Sequence, residues 1–131
     1  MAAKEPRIHL VADATTEQLN LDLRRAKLFV APHQYGGAGL PLKVVAALSN
    51  GLPVVYSAHL GGAFGFDVKG QNGGILVHNP QEMANAIFSL WTDSALWAAL
   101  HRRALSYAGS HFSKSVFQTQ VLDGVNAALQ P

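Results

Sequence analysis

Three glycines, a proline and a lysine between positions 36 and 43 carry the most legible chemistry in this chain. Gly36, Gly37 and Gly39 let a backbone approach a ligand closely and reach positive φ without steric cost. Pro41 suits the first position of a helix, where its missing N–H removes nothing. Gly51 fits the position just past a helix C-cap, and Pro53 cannot continue the helix. The pattern predicts a glycine loop, a short helix over 41–50 and a strand over 52–57. Free N–H groups and the positive dipole end of that helix then face the loop, an arrangement that holds a phosphate. Lys43, in the first turn, opposes the dipole by roughly 0.3–1 kcal/mol, and a bound anion would remove that cost. The other reading of Lys43 is a solvated cation whose stem covers apolar surface. Spacing alone weighs the two evenly. His33 leads from an apolar run straight into the loop and is a candidate to line the site, with His59 a second.

Other chemistries lack their residues. The chain has no cysteine, which excludes disulfides, thiolate metal sites and cysteine nucleophiles. The six histidines His9, His33, His59, His78, His101 and His111 show no paired ligand spacing. No metal is therefore expected. No Walker loop, Gly-x-Ser-x-Gly elbow or HExxH helix is present, and the glycine spacing differs from the dinucleotide fingerprint. No carboxylate falls between Asp22 and Asp67, so a general base from inside the stretch is not expected and no catalytic residue is assigned.

The elements that must position this loop read as follows. Residues 8–12 read as a short strand, and Thr15 with Gln18 forms a capping-box pattern ahead of the stripe Leu19, Leu23 and Ala26. Residues 27–32 are an unalternating apolar run of strand length, as in a strand buried on both faces. A second glycine-rich loop covers 61–66, and Gly74 to Val77 reads as a strand. Asn79, Pro80 and Glu82 supply an N-cap, an N1 proline and an N3 carboxylate. That helix places Met83, Ala86, Ile87, Leu90 and Trp91 on one face. A break at Thr92-Asp93 starts a helix through Leu96, Leu100, Ala104 and Tyr107, ended by Gly109. Ser113 opens the last helix, with Val116, Phe117, Val121 and Val125 inward. Strands alternating with helices argue for an α/β fold with a mainly parallel sheet of about four strands flanked by helices, the C-terminal helices packed on it. Ligands of such sheets sit at the carboxyl ends of the strands, where both glycine loops fall.

At 131 residues with 49% apolar composition and a formal charge of +2, the chain is one globular domain over 1–131 with one good core. Lys and Arg are scattered, which argues against a nucleic-acid partner. No apolar run approaches the ~18 residues needed to span a bilayer, and the first residues lack a signal-peptide core. A cytoplasmic location is expected.

Residues 26–32, then Tyr35-Gly36-Gly37-Ala38-Gly39-Leu40, Lys43-Val44, Ala47-Leu48 and Gly51-Leu52-Pro53-Val54-Val55 resemble the C-terminal domain of group 1 glycosyltransferases. Gly65-Phe66-Asp67-Val68, residues 74–77 and the tail from Pro80 through Phe112-Ser113 agree, so the resemblance spans about residues 8–128. It implies part of a GT-B fold, whose Rossmann-like C-terminal domain binds a nucleotide-sugar donor without a metal or other cofactor. In that family the loop equivalent to Gly37, Ala38, Gly39 and Leu40 contacts donor phosphate and sugar through backbone groups. The site expected from spacing and resemblance together is His33, Gly36, Gly37, Ala38, Gly39, Leu40, Lys43 and Ala46.

Departures from the family shape the function expected. The family carries two glutamates eight positions apart, the first contacting the sugar and the second the ribose. Counted back from Gly51 these positions hold Ala38 and Ala46; counted forward from Gly39 they hold Gly36 and Val44. Each lost carboxylate removes charged hydrogen bonds worth about 1.5–3 kcal/mol. Set against the family, the acceptor-binding half and the first two β-α units are lacking, and residues 8–12 correspond to the third strand. In a doubly wound sheet the first two strands separate the third from the fourth. Residues 8–12 are therefore expected to re-pair beside 27–32, or a second subunit to cover the open edge, giving a homo-oligomer. The expected function is a glycosyltransferase-like donor-binding domain, partnered by nucleotide-sugar and by a separately encoded N-terminal half, and unable to transfer sugar alone. The alternatives are a non-catalytic oligomeric or regulatory module on the same scaffold, and a phosphate-binding protein unrelated to sugar transfer.

Overall fold

Helix boundaries follow the capping residues closely. A computed structural model of the chain describes residues 5–32, 42–60 and 72–130. The first helix, α1, spans Thr16–Arg25, and the Thr15 hydroxyl accepts from the Gln18 amide at 3.1 Å. Only half of the capping box forms, because the Gln18 side chain donates forward to Asp22 at 2.9 Å. Strand β1 (Phe29–Ala31), helix α2 (Leu42–Ser49) and strand β2 (Val54–Ser57) follow, with a 3-10 turn over Ala58–Leu60. Strand β3 (Gly74–Val77) then leads into α3 (Pro80–Thr92), α4 (Ser94–His111) and α5 (Lys114–Ala128).

The fold is α/β with a parallel sheet, as expected, ordered β1-β2-β3. Val30 pairs with Val55, and Val55 with Ile75. Central β2 is covered on both faces. Val54 and Tyr56 join a core with Leu23, Val44, Ala47, Leu48 and Ala104, from α1, α2 and α4. Val55 points the other way, into a second core with Val77, Ala86, Leu90 and Leu100, from β3, α3 and α4. The period of two along β2 thus separates the two layers, and helix α4 contributes to both.

The fourth strand does not form. Residues 8–12 carry no strand, and Leu10 is 86% exposed with Ile8 and Val11 also in solvent. Strand preference is realised only against a neighbour, and this segment has none: it follows a turn in which the Ile8 amide bonds the Glu5 carbonyl, and no ladder to β1 follows. Among the described residues β1 is left as an edge strand, without the expected re-pairing.

Three other expectations are corrected. Gly109 does not end α4, which runs on to His111 with the Phe112 amide bonding the Ala108 carbonyl; a single glycine costs a helix only about 1 kcal/mol. Trp91 is exposed, and the Lys27 ammonium sits 4.9 Å above its ring. In α5 only Val116 is partly buried, while Phe117, Val121 and Val125 face solvent, because among the described elements this helix packs chiefly on α4.

Asn72 is the one buried polar side chain among the described residues. Its carbonyl oxygen accepts from the Gly74 amide at 2.9 Å and its amide donates to the Tyr56 hydroxyl at 3.3 Å. It therefore ties the entry of β3 to the central strand. Asn72→Ala leaves the Gly74 amide buried and unpaired, and should lower stability by about 1–3 kcal/mol, read as a fall in the urea midpoint.

Candidate functional site

All three strands run the same way, so Ala31, Ser57 and Val77 end on one edge of the sheet. Helix α2 closes at the other edge. There Gly51 takes φ +73 and its amide bonds the Leu48 carbonyl, while the Phe29 amide bonds the Pro53 carbonyl. Its eight residues cover about 12 Å, which returns its N-terminus, Leu42 and Lys43, to the carboxyl edge. The helix dipole is thus aimed where parallel α/β sheets receive ligands.

A run of contacts fixes the helix in that place. The Trp97 indole donates to the Lys27 carbonyl at 2.7 Å, holding α4 to the chain entering β1. The Lys27 ammonium in turn donates to the Trp91 carbonyl at 2.9 Å, which brings in α3. Trp97 stacks on His101 at 4.9 Å between ring centroids. The His101 Nδ1 then donates to the Gly51 carbonyl at 2.7 Å, which reaches the end of α2. Val44, Ala47 and Leu48 bury the inner face of α2 in the core. The helix is held at its C-terminus and along its inner side, while Leu42 and Lys43 at its start are exposed.

Two of the residues expected at the site are described. Lys43 is exposed and has no hydrogen-bond or ion-pair partner among the described residues. Ala46 lies three positions on, half-buried against the core that includes Val44 and Leu48. Residues three apart share one side of a helix, so Lys43 and Ala46 are neighbours along α2. His33, Gly36, Gly37, Ala38, Gly39, Leu40 and Pro41 lie outside the described residues, as does the glycine loop over 61–66; the side chain of His59 is likewise outside them.

The same edge holds groups that the sequence marked as a helix cap and not as part of the site. His78 follows β3, and its amide and its Nδ1 meet Glu82 Oε2 at 2.9 and 3.1 Å. Asn79 caps α3, accepting from the Glu82 amide at 2.9 Å. The His78 amide, then its ring, hold the exposed Glu82 carboxyl below its ordinary value. With its pKa lowered on folding, Glu82 supports the start of α3 above the usual carboxylate range and loses that role as pH falls through the folded value. The Asn-Pro-x-Glu spacing signalled a helix cap, which absorbs these side chains.

Chemically, the described part of the edge offers a helix N-terminus and one free ammonium, both suited to an anion. Among the described residues no three His, Asp or Glu cluster as metal ligands, and no helix is long and apolar enough to cross a membrane. A family model described as glycosyl transferases group 1 matches residues 2–93. No curated protein and no solved structure matches the chain.

Proposed function

The chain belongs to the group 1 glycosyl transferases, and from that membership we propose that it is a nucleotide-sugar donor-binding domain that does not transfer sugar by itself. The observation that carries this reading is Lys43, exposed and without a partner among the described residues, in the first turn of a helix whose N-terminus lies at the carboxyl edge of a parallel sheet. The donor diphosphate lies against that helix end. Backbone N–H groups and the dipole receive its charge, and Lys43 neutralises part of it.

Neither register of the family's glutamates, Ala38 and Ala46 or Gly36 and Val44, holds a carboxylate, which argues against transfer by this chain alone. The family's paired glutamates hold the sugar and the ribose, and their absence leaves the donor held mainly through its phosphates. Transfer also depends on orienting donor against acceptor and on stabilising charge as the glycosidic bond breaks, the two largest contributions to rate. A partner contributing the acceptor-binding half supplies that orientation in this reading.

Calorimetric titration with UDP, GDP and their sugars tests it. Micromolar binding is expected, weakened about fivefold in Lys43→Ala, since an exposed charge contact is worth up to about 1 kcal/mol. Lys43 is exposed, so the variant should fold as the parent does. Absence of heat at millimolar ligand would sink the proposal.

A further inference from the structure

Two side chains of α4 hold the chain on either side of residues 33–41. Trp97 and His101 stand four apart, on one face of the helix. Their rings stack at 4.9 Å between centroids and lie within 10° of parallel. The Trp97 indole donates to the Lys27 carbonyl, two residues before β1. The His101 Nδ1 donates to the Gly51 carbonyl, two residues after α2. Both flanks are thereby tied to the same turn of α4.

Gly51 makes room for this contact. A Cβ at that position would stand 2.5 Å from His101 Cε1 and 2.6 Å from its Nδ1. The glycine therefore serves the end of α2 twice, by its φ of +73 and by the space it leaves the ring.

We propose that His101, oriented by Trp97, is a positioning residue for the donor site, a role that rests on the donor-binding reading of Lys43. Val44, Ala47 and Leu48 bury the inner face of α2 in the core that Ala104 and Ala108 of α4 share. Apolar burial is non-directional, whereas a hydrogen bond fixes a direction and a length. His101 applies one to the end of α2, at the amino edge of the sheet. The eight residues of the helix form a rod about 12 Å long. A shift at Gly51 is carried along that rod to Lys43, at the carboxyl edge. His101 thus acts on the ligand without touching it.

Titration calorimetry of the full chain with UDP and GDP, set beside urea unfolding, tests the proposal. His101→Leu keeps a bulky side chain and removes the donor. His101 is half-buried, and the change leaves the core residues of α4 in place, so the variant should fold. Apparent Kd rises by the inverse of the fraction of molecules with α2 in place. A rise of about three- to tenfold is expected, the worth of one neutral hydrogen bond. His101→Asn, whose Nδ2 takes the place of Nδ1, should restore most of the affinity. Lost stability alone should not weaken binding: Asn72→Ala is expected to lower the urea midpoint and keep the parental affinity. Because the effect passes through Lys43, His101→Leu should cost less in a Lys43→Ala background than in the parent. Parental affinity in His101→Leu overturns the proposal, as do equal weakening by Leu and Asn or strict additivity with Lys43→Ala. His101 is then a contact of the fold alone. No heat from the parent with either nucleotide is a different result: it sinks the donor-binding reading, and this role with it.

Discussion

Gly73→Ala is expected to lower folding stability by about 2–6 kcal/mol, combining roughly 1–3 from left-handed backbone strain with 1–3 from overpacking. Gly73 has φ +81, a conformation that side chains with a Cβ adopt at a cost. A Cβ there would also stand 2.5 Å from the Ala104 backbone nitrogen and 2.6 Å from its Cα. The obstacle is helix backbone, which cannot swing aside like a long side chain. Ala104 is fully buried between Leu100 and Ala108, and this small residue lets α4 approach the turn before β3. The loss compares with a total stability of roughly 5–15 kcal/mol for a domain, so the variant should unfold at a much lower urea concentration or fail to fold. Gly109→Ala provides the contrast. It lies within the same helix, a Cβ there meets nothing within 4 Å, and the change should stabilise by roughly 0.5–1 kcal/mol. Equal midpoints for the two variants would mean that α4 does not sit on Gly73.

The contrast between two glycines of different consequence shows which parts of the fold were legible. Signals made by neighbours in sequence read correctly. Thr15, Asn79 and Ser113 each cap the helix that follows, and Asp93 caps α4 after closing α3. Gly51 closes α2 with positive φ, and β3 begins and ends where its composition changes. Signals that need a distant partner misled. Residues 8–12 have strand composition but no ladder to join among the described residues, and the apolar stripe of α5 meets no described surface that buries it. A periodic pattern says which residues want cover; it does not say who provides it. Gly109 misled for a related reason, since α4 gains more from continued packing through Ala108 than one glycine costs. The orientation of α2 was readable from Gly51 and Pro53. His78 and Glu82 share its sheet edge but announced only a cap.

Ala46→Glu tests which register of the family's carboxylates applies to this chain. Counted back from Gly51, position 46 is where the family's glutamate meets the donor ribose, and here a half-buried alanine stands one turn after Lys43. A glutamate at that position has backbone already held by the core on its inner side, so little ordering of the main chain is needed. Its carboxylate would accept charged hydrogen bonds from the ribose hydroxyls worth about 1.5–3 kcal/mol, or roughly tenfold or more in affinity for UDP or GDP sugars. An intrahelical pair with Lys43 competes, at only about 0.2–0.5 kcal/mol. Pyrophosphate separates the two contributions, because it carries the anion without the ribose. The variant should bind nucleotide-sugar more tightly and pyrophosphate no better, the added negative charge acting against the latter. If both ligands weaken together, position 46 faces the phosphates and not the ribose, and the register counted forward from Gly39, through Gly36 and Val44, takes its place.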